Sequence, residues 1–222
     1  MMTVEEAITG RRSVRAYLKK PVPRETITKV LRTASRAPSG TNVQPWHVYV
    51  MQGEIKAALS AELMRIAQAG VTATREYNYY PGVWREPYLA RRRACGFGLY
   101  NTLGIPRGDT ARMAEQHARN WVFFGAPVGL FFSIDSYLEK GSWLDFGMFL
   151  QSVMIAARGE GLATCPQAAF AYHPATVKRH AGIPDNHTLV CGMALGFEDT
   201  SDVVNSFVTE REPVENFVTW VD

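Results

Sequence analysis

Cysteine is scarce and unpatterned in this sequence: three in 222 residues, at Cys95, Cys165 and Cys191. The odd count, wide spacing and apolar neighbours exclude a disulfide framework and show no metal-ligand spacing, so buried reduced thiols of a cytosolic protein are expected. Long uncharged apolar runs are missing, and with them any segment able to span a bilayer. The opening MMTVEEAITG has acids where a secretory leader needs basic residues and an apolar run. Strong charge of one sign is lacking too. The 24 basic residues against 21 acidic ones leave +3, too little for a nucleic-acid surface. Repeats, low-complexity tracts and a linker between domains are absent. So are a nucleophile elbow and a convincing catalytic triad, and His47 and His173 each stand alone beside a strand or a helix start. A cytoplasmic protein with no membrane or nucleic-acid partner is expected, and no bound metal.

What is present alternates helix and strand. Thr3 can cap a short first helix, with Glu6 as the return half of a capping box. RETITKVLRTASRA follows two prolines and puts Ile27, Val30, Leu31 and Ala34 on one face, with Pro38 as its stop. WHVYVM at 46–51 alternates as a strand does, and Gly53 opens a helix with Ile55, Leu59, Leu63 and Ile66 on one side. PVGLFFSI from Pro127 and TLVCGMAL at 188–195 are almost continuously apolar, the pattern of central strands covered on both faces. Between them GSWLDFGMFLQSVMIAARGEG predicts a helix from Ser142 to about Gly159 or Gly161. It is apolar all round and so must be covered all round, in part by a second subunit. The expectation is one α+β domain over 1–222, built on a central sheet, as an obligate dimer.

Residues 71–93 resist this alternation. They carry Tyr77, Tyr79, Tyr80, Tyr88 and Trp84 with two prolines and a glycine. Two readings stand: a surface loop whose rings pack on their own domain, or a lid whose aromatic faces cover a flat ligand. Arg91, Arg92 and Arg93 read as a solvated helix face.

The stretch GRRSVRAY at 10–17 places Arg11, Arg12, Ser13 and Arg15 within five residues. Guanidinium groups bind phosphate as two-pronged donors and stay charged, and a serine hydroxyl adds a donor without bulk. Alone, the cluster reads as a solvated turn behind a helix end. Beside it stands APSGTNVQPW at 37–46, where Ser39, Gly40, Thr41, Asn42 and Gln44 lie between prolines. Small residues admit close backbone approach, and the amides suit the edge of a planar heterocycle with carbonyls and ring nitrogens.

These two motifs, with GLATCPQAAF and the terminal NSFVTEREPVENFV, resemble the FMN-dependent nitroreductase family over nearly the whole chain. The resemblance implies a mostly antiparallel central sheet flanked by helices, and an intertwined homodimer with FMN at the subunit interface, reduced by NADH or NADPH. It places the FMN phosphate against Arg11, Arg12, Ser13 and Arg211, and Arg15 at the flavin pyrimidine edge. Ser39, Gly40 and Asn42, with Gln44 beside them, would come from the partner subunit. The backbone of Ala168 and Ala169 would face the flavin N5 and O4 edge, where relatives often have an acidic residue and glycine. On the lid reading of 71–93, Tyr77, Tyr80 and Trp84 are the candidates to meet substrate, and a C-terminal extension covers about 205–222.

The implied activity is hydride transfer from NAD(P)H to FMN and on to a small aromatic acceptor, a nitroaromatic compound, by a ping-pong mechanism. No catalytic side chain is required, because the chemistry occurs at the flavin N5. Arg15 would stabilise negative charge near N1 and O2 of the reduced flavin. Two alternatives are a reductive dehalogenase or flavin-fragmenting enzyme of the same fold, and a non-enzymatic flavin-binding module. In the dehalogenase, Glu76 and Tyr80 could help to grip a zwitterion.

Overall fold

The computed structural model describes residues 2–221. Seven α-helices and four strands follow one another along them: α1 (Val4–Thr9), α2 (Arg24–Ala34), β1 (His47–Met51), α3 (Gly53–Gln68), α4 (Tyr88–Thr102), α5 (Thr110–Ala118), β2 (Val128–Asp135), α6 (Lys140–Gly159), β3 (Ala163–Gln167), α7 (Pro174–Ala181) and β4 (His187–Gly196). The strands form one antiparallel sheet in the order β1-β2-β4-β3. The architecture is α+β, a sheet with helices on both sides. Among the described residues no helix is long and apolar enough to cross a membrane.

The period of two in β2 assigns its faces. Val128, Leu130, Phe132 and Ile134 join Ile27, Val30 and Ala34 of α2 and Phe146, Phe149, Val153 and Ala157 of α6 in one apolar layer. Phe131 faces the other way, into a layer with Leu59 and Leu63 of α3, Phe123 and Phe170. Continuous apolar runs therefore do mark strands covered on both faces, here in an antiparallel sheet. The pairing slips once, between Phe132 and Ser133, so Val190 of β4 is an extra residue. That bulge is why Val190 and Cys191, neighbours in sequence, both belong to the α2–α6 layer.

Several expected boundaries move. The α1 capping box forms as expected, with Thr3 Oγ1 accepting from Glu6 N–H at 3.1 Å and Glu6 Oε2 from Thr3 N–H at 2.6 Å. α2 stops at Ala34, well before Pro38, because the Ser35 hydroxyl turns back onto the Arg32 carbonyl at 2.8 Å. α6 begins at Lys140, two residues earlier than the pattern suggested. The segment expected as a loop or lid over 71–93 is helical from Tyr88 onward, so only 71–87 is irregular. β3 and α5 had no legible signal; β3 is five residues with Pro166 inside, which an edge strand tolerates. Cys165 and Cys191 are buried as expected, but Cys95 is exposed, because α4 buries none of its residues in this chain.

Two strand glycines fix the second layer. A Cβ on Gly129 would sit 2.4 Å from the Phe123 ring, and one on Gly192 would sit 2.4 Å from Phe170. Phe123, Phe131 and Phe170 pack on one another with centroids 4.6 to 5.6 Å apart, so these rings have no room to withdraw. Gly192→Ala is expected to destabilise the fold by about 1–3 kcal/mol through overpacking. Urea unfolding followed by circular dichroism checks this, and an unchanged midpoint would contradict it.

Candidate functional site

The segment after α1 lies along the free edge of β3. Ser13 bridges Thr164 in parallel, Val14 N–H donates to the Thr164 carbonyl at 3.1 Å, and Tyr17 bridges Glu198. Along this segment Val14, Ala16 and Tyr17 are buried, while Arg11, Arg12, Ser13 and Arg15 are half-buried at the surface. The sheet thus presents the arginines as a row.

Their electrostatics differ. Among the described residues the Arg11 guanidinium has neither a hydrogen bond nor an ion pair, and its pKa is pulled down by burial and then by the nearby Arg211 charge. Arg211, at the other end of the chain, is exposed and folded onto its own backbone, with Nη1 donating to Thr209 Oγ1 at 2.7 Å and the Glu210 carbonyl at 2.8 Å. Arg12 pairs with Glu198, yet its buried Nε has no partner. Arg15 Nη1 donates to the Ser13 carbonyl at 3.2 Å. Two like charges that approach without a counterion leave a position where an anion would be favoured.

Sequence reasoning missed what holds this row in place. Buried Asn205 accepts from Arg15 N–H at 2.8 Å and donates to the Ala16 carbonyl at 2.9 Å and the Asp199 carbonyl at 2.8 Å. The only available signal was its place in the terminal motif. Cys165 lies beneath the row; burial pushes its thiol up to about 11 despite the opposing Arg15, Ser13 and Arg11. Arg158 of α6 sits behind it, with Nη2 3.2 Å from where a Cβ on Gly10 would lie. At the end of β3 the chain turns into a short helix at Ala168–Tyr172, so half-buried Ala168 and Ala169 adjoin the same edge.

Ser39, Gly40, Asn42 and Gln44 lie elsewhere. Gly40 N–H donates to Asp145 Oδ2 at 3.1 Å, Gln44 N–H to Ser39 Oγ at 3.0 Å, and Gln44 Nε2 to the Asn42 carbonyl at 3.2 Å. Thr41, Asn42 and Gln44 all have positive φ, a tight exposed turn. Asp145 and Arg158 are thirteen residues apart on α6, roughly 20 Å at 1.5 Å per residue. One chain therefore brings together Arg11, Arg12, Ser13, Arg15, Ala168, Ala169 and Arg211, and keeps Ser39, Gly40, Asn42 and Gln44 at the far end of α6.

The irregular segment is pinned at its start and self-packed beyond. Thr74 N–H donates to the Tyr172 carbonyl at 3.0 Å. Glu76 pairs with buried Lys178 and accepts from Leu189 N–H at 2.8 Å. Tyr77 Oη donates to the carbonyl of Val190, the bulge residue, and its ring packs on Trp143 at 4.8 Å. Tyr80 then contacts Tyr79 and Trp84, and Arg92 lies over Trp84 at 5.0 Å. Tyr80 remains exposed and Trp84 half-exposed.

With this geometry in view, the comparisons with known proteins agree closely. The model of the nitroreductase family matches residues 8–197. A 4-nitrobenzoate reductase of Nocardioides sp. (strain LMS-CY) is 43% identical over 218 residues, covering 96% of this chain and 88% of that protein. One from Pseudomonas putida is 41% identical, covering 96% of this chain and 93% of its own length. The crystal structure of the FMN and NADPH-dependent nitroreductase NfnB from sphigopyxis sp. strain HMH superposes with a TM-score of 0.95 at 36% identity, over 99% of both chains.

The Glu76 anchor yields a direct expectation. Glu76→Ala leaves the Lys178 ammonium buried without its counterion and Leu189 N–H without its acceptor. The loss should be about 3 kcal/mol, read by denaturant unfolding, with faster proteolysis within 71–87. A variant with native stability and native cleavage would contradict the anchor.

Proposed function

The chain belongs to the nitroreductase family, and on that premise we propose that it is an FMN-dependent NAD(P)H nitroreductase, taking hydride onto FMN and reducing nitroaromatic compounds in alternating half-reactions. The observation that carries this reading is the half-buried, unpartnered guanidinium of Arg11 beside the like charge of Arg211. The residues fit a phosphate: Arg11 and Arg211 supply charge, Ser13 supplies a hydroxyl, and Arg12 adds an unpartnered Nε. Arg15 would hold positive charge at the pyrimidine edge, and its backbone is locked by Asn205. Ala168 and Ala169 would offer backbone donors only, so proton delivery to a nitro group falls to water or to the hydroxyls of the 71–87 segment.

We propose further that the working unit is a homodimer. Ser39, Gly40 and Asn42, with Gln44, would then meet the arginine row of a second copy, since within one chain α6 separates them. Exposed apolar surface supports this: Leu144 of α6 is 74% exposed and Trp220 near the C-terminus 83% exposed, with Met148 and Phe217 beside them in kind. Tyr77, Tyr80 and Trp84 would flank the acceptor. The dehalogenase alternative is weakened by Glu76, whose carboxylate is already engaged by Lys178 and Leu189 and is not free to grip a zwitterion.

The test separates phosphate from ring. Arg211→Ala should cost on the order of 1.5–3 kcal/mol in FMN binding, roughly ten- to a hundredfold, while riboflavin, already weak, loses little. Flavin fluorescence quenching measures both; an unchanged FMN affinity would sink the assignment. The activity is read by NADPH and NADH consumption with 4-nitrobenzoate and nitrobenzene. A protein that holds FMN yet reduces neither compound with either nicotinamide would refute the proposed function.

A further inference from the structure

Antiparallel register assembles a second polar cluster on the sheet. His47 of β1 lies directly opposite Ser133 of β2, and Asp135, two residues on, lies directly opposite His187 of β4. The period of two therefore puts His47, Ser133, Asp135 and His187 on one face, at the ends of three adjacent strands. Their positions in sequence are far apart, so no ligand spacing was visible.

The side chains converge. His47 Nε2 lies 3.0 Å from Asp135 Oδ2, and His187 Nε2 lies 3.7 Å from Asp135 Oδ1. One donor atom from each of the three residues lies within 4.8 Å of the other two. The imidazole rings are 4.3 Å apart at the centroid. His187 Nδ1 meets the buried Ser133 hydroxyl at 3.0 Å. Where Nδ1–H donates to Ser133, the Nε2 lone pair faces a carboxylate oxygen across 3.7 Å, too far for a hydrogen bond and with the wrong sign of charge. A cation between them would satisfy both.

We propose that His47, Asp135 and His187 form a site for a first-row divalent metal ion, with Zn²⁺ as the ion that fits best. Two imidazoles and one carboxylate suit zinc or iron and leave further positions for water. Metal–ligand bonds of about 2.1 Å set ligand atoms about 3.0–3.4 Å apart; the two histidine–carboxylate separations here, to different oxygens of Asp135, are 3.0 and 3.7 Å. Ser133 supplies the outer contact that orients a ligating histidine. The nearby Lys178 charge is offset by Glu76. Bound metal would clamp β1, β2 and β4 together just after the 37–46 turn. The site depends on strand register and is independent of the flavin reading.

The experiment uses tag-free, flavin-loaded protein stripped with EDTA and titrated with Zn²⁺ against a chromophoric chelator. One Zn²⁺ per chain is expected, with a rise in Tm that Mg²⁺ does not reproduce. His47→Ala, at the exposed ligand, should weaken Zn²⁺ at least tenfold and abolish the Tm rise, and Ser133→Ala should weaken it by about tenfold. His47→Gln serves if the alanine variant does not fold. Wild-type protein that takes up no Zn²⁺, or both His47 variants binding it as tightly as wild type, would overturn the proposal.

Discussion

β2 pairs with β4 along its whole length across a single slip at Val190, and that slip sets what each face of the sheet can carry. On β2, alternation sends Phe132 and Ile134, one on each side of the slip, to the α2–α6 layer; on β4, Val190 and Cys191 at the slip both turn that way. The bulge also frees a carbonyl from the ladder, and Tyr77 takes it. Glu76 takes the neighbouring Leu189 N–H. The same pairing brings Asp135 opposite His187. A register error of one residue would invert the faces, unseat the 71–87 segment and scatter the histidine cluster together. That coupling explains why aromatic rings and glycines are matched so tightly there, with Phe123 on Gly129 and Phe170 on Gly192.

The arginine row is organised on the opposite principle. Its backbone is held at Val14 by Thr164 and at Arg15 and Ala16 by Asn205, while among the described residues its charges are left short of partners. Holding guanidinium groups near one another costs Coulomb energy that the backbone contacts offset. Such preorganisation would lower the ordering penalty for a bound anion. The paired exception, Arg12 with Glu198, fixes the row's base and keeps its net charge from growing further.

Legibility from sequence followed the strength of local signals. The α1 capping box, the faces of α2 and the two apolar central strands were all readable, since each rests on a period or cap. α4 was not, because its apolar and basic residues follow no stripe and none is buried within the chain. α6 looked apolar all round; the structure covers one side with Phe146, Phe149, Val153 and Ala157 and leaves Leu144 and Met148 open. RRSVR and APSGTNVQPW stood out in the sequence as candidate ligand-binding stretches, yet their separation by the length of α6 is a tertiary fact. Asn205 and the His47–Asp135–His187 cluster were invisible for the same reason, since long-range pairing leaves no spacing to read.

Folded chains satisfy nearly all buried polar groups, so the exceptions mark where structure alone does not account for a residue. Among the described residues, five buried side-chain atoms lack a partner, and three of them, Arg12 Nε, Arg158 Nε and Gln167 Oε1, border the arginine row or the turn into Ala168. Two are donors on cationic groups behind Arg11, and the third is an acceptor at the start of the turn. On the proposed reading, the deficit would be one half of an interface whose other half is a phosphate-bearing ligand and the 37–46 turn of a second copy. In that arrangement the fold would be incomplete in one chain for the same reason that the site would be.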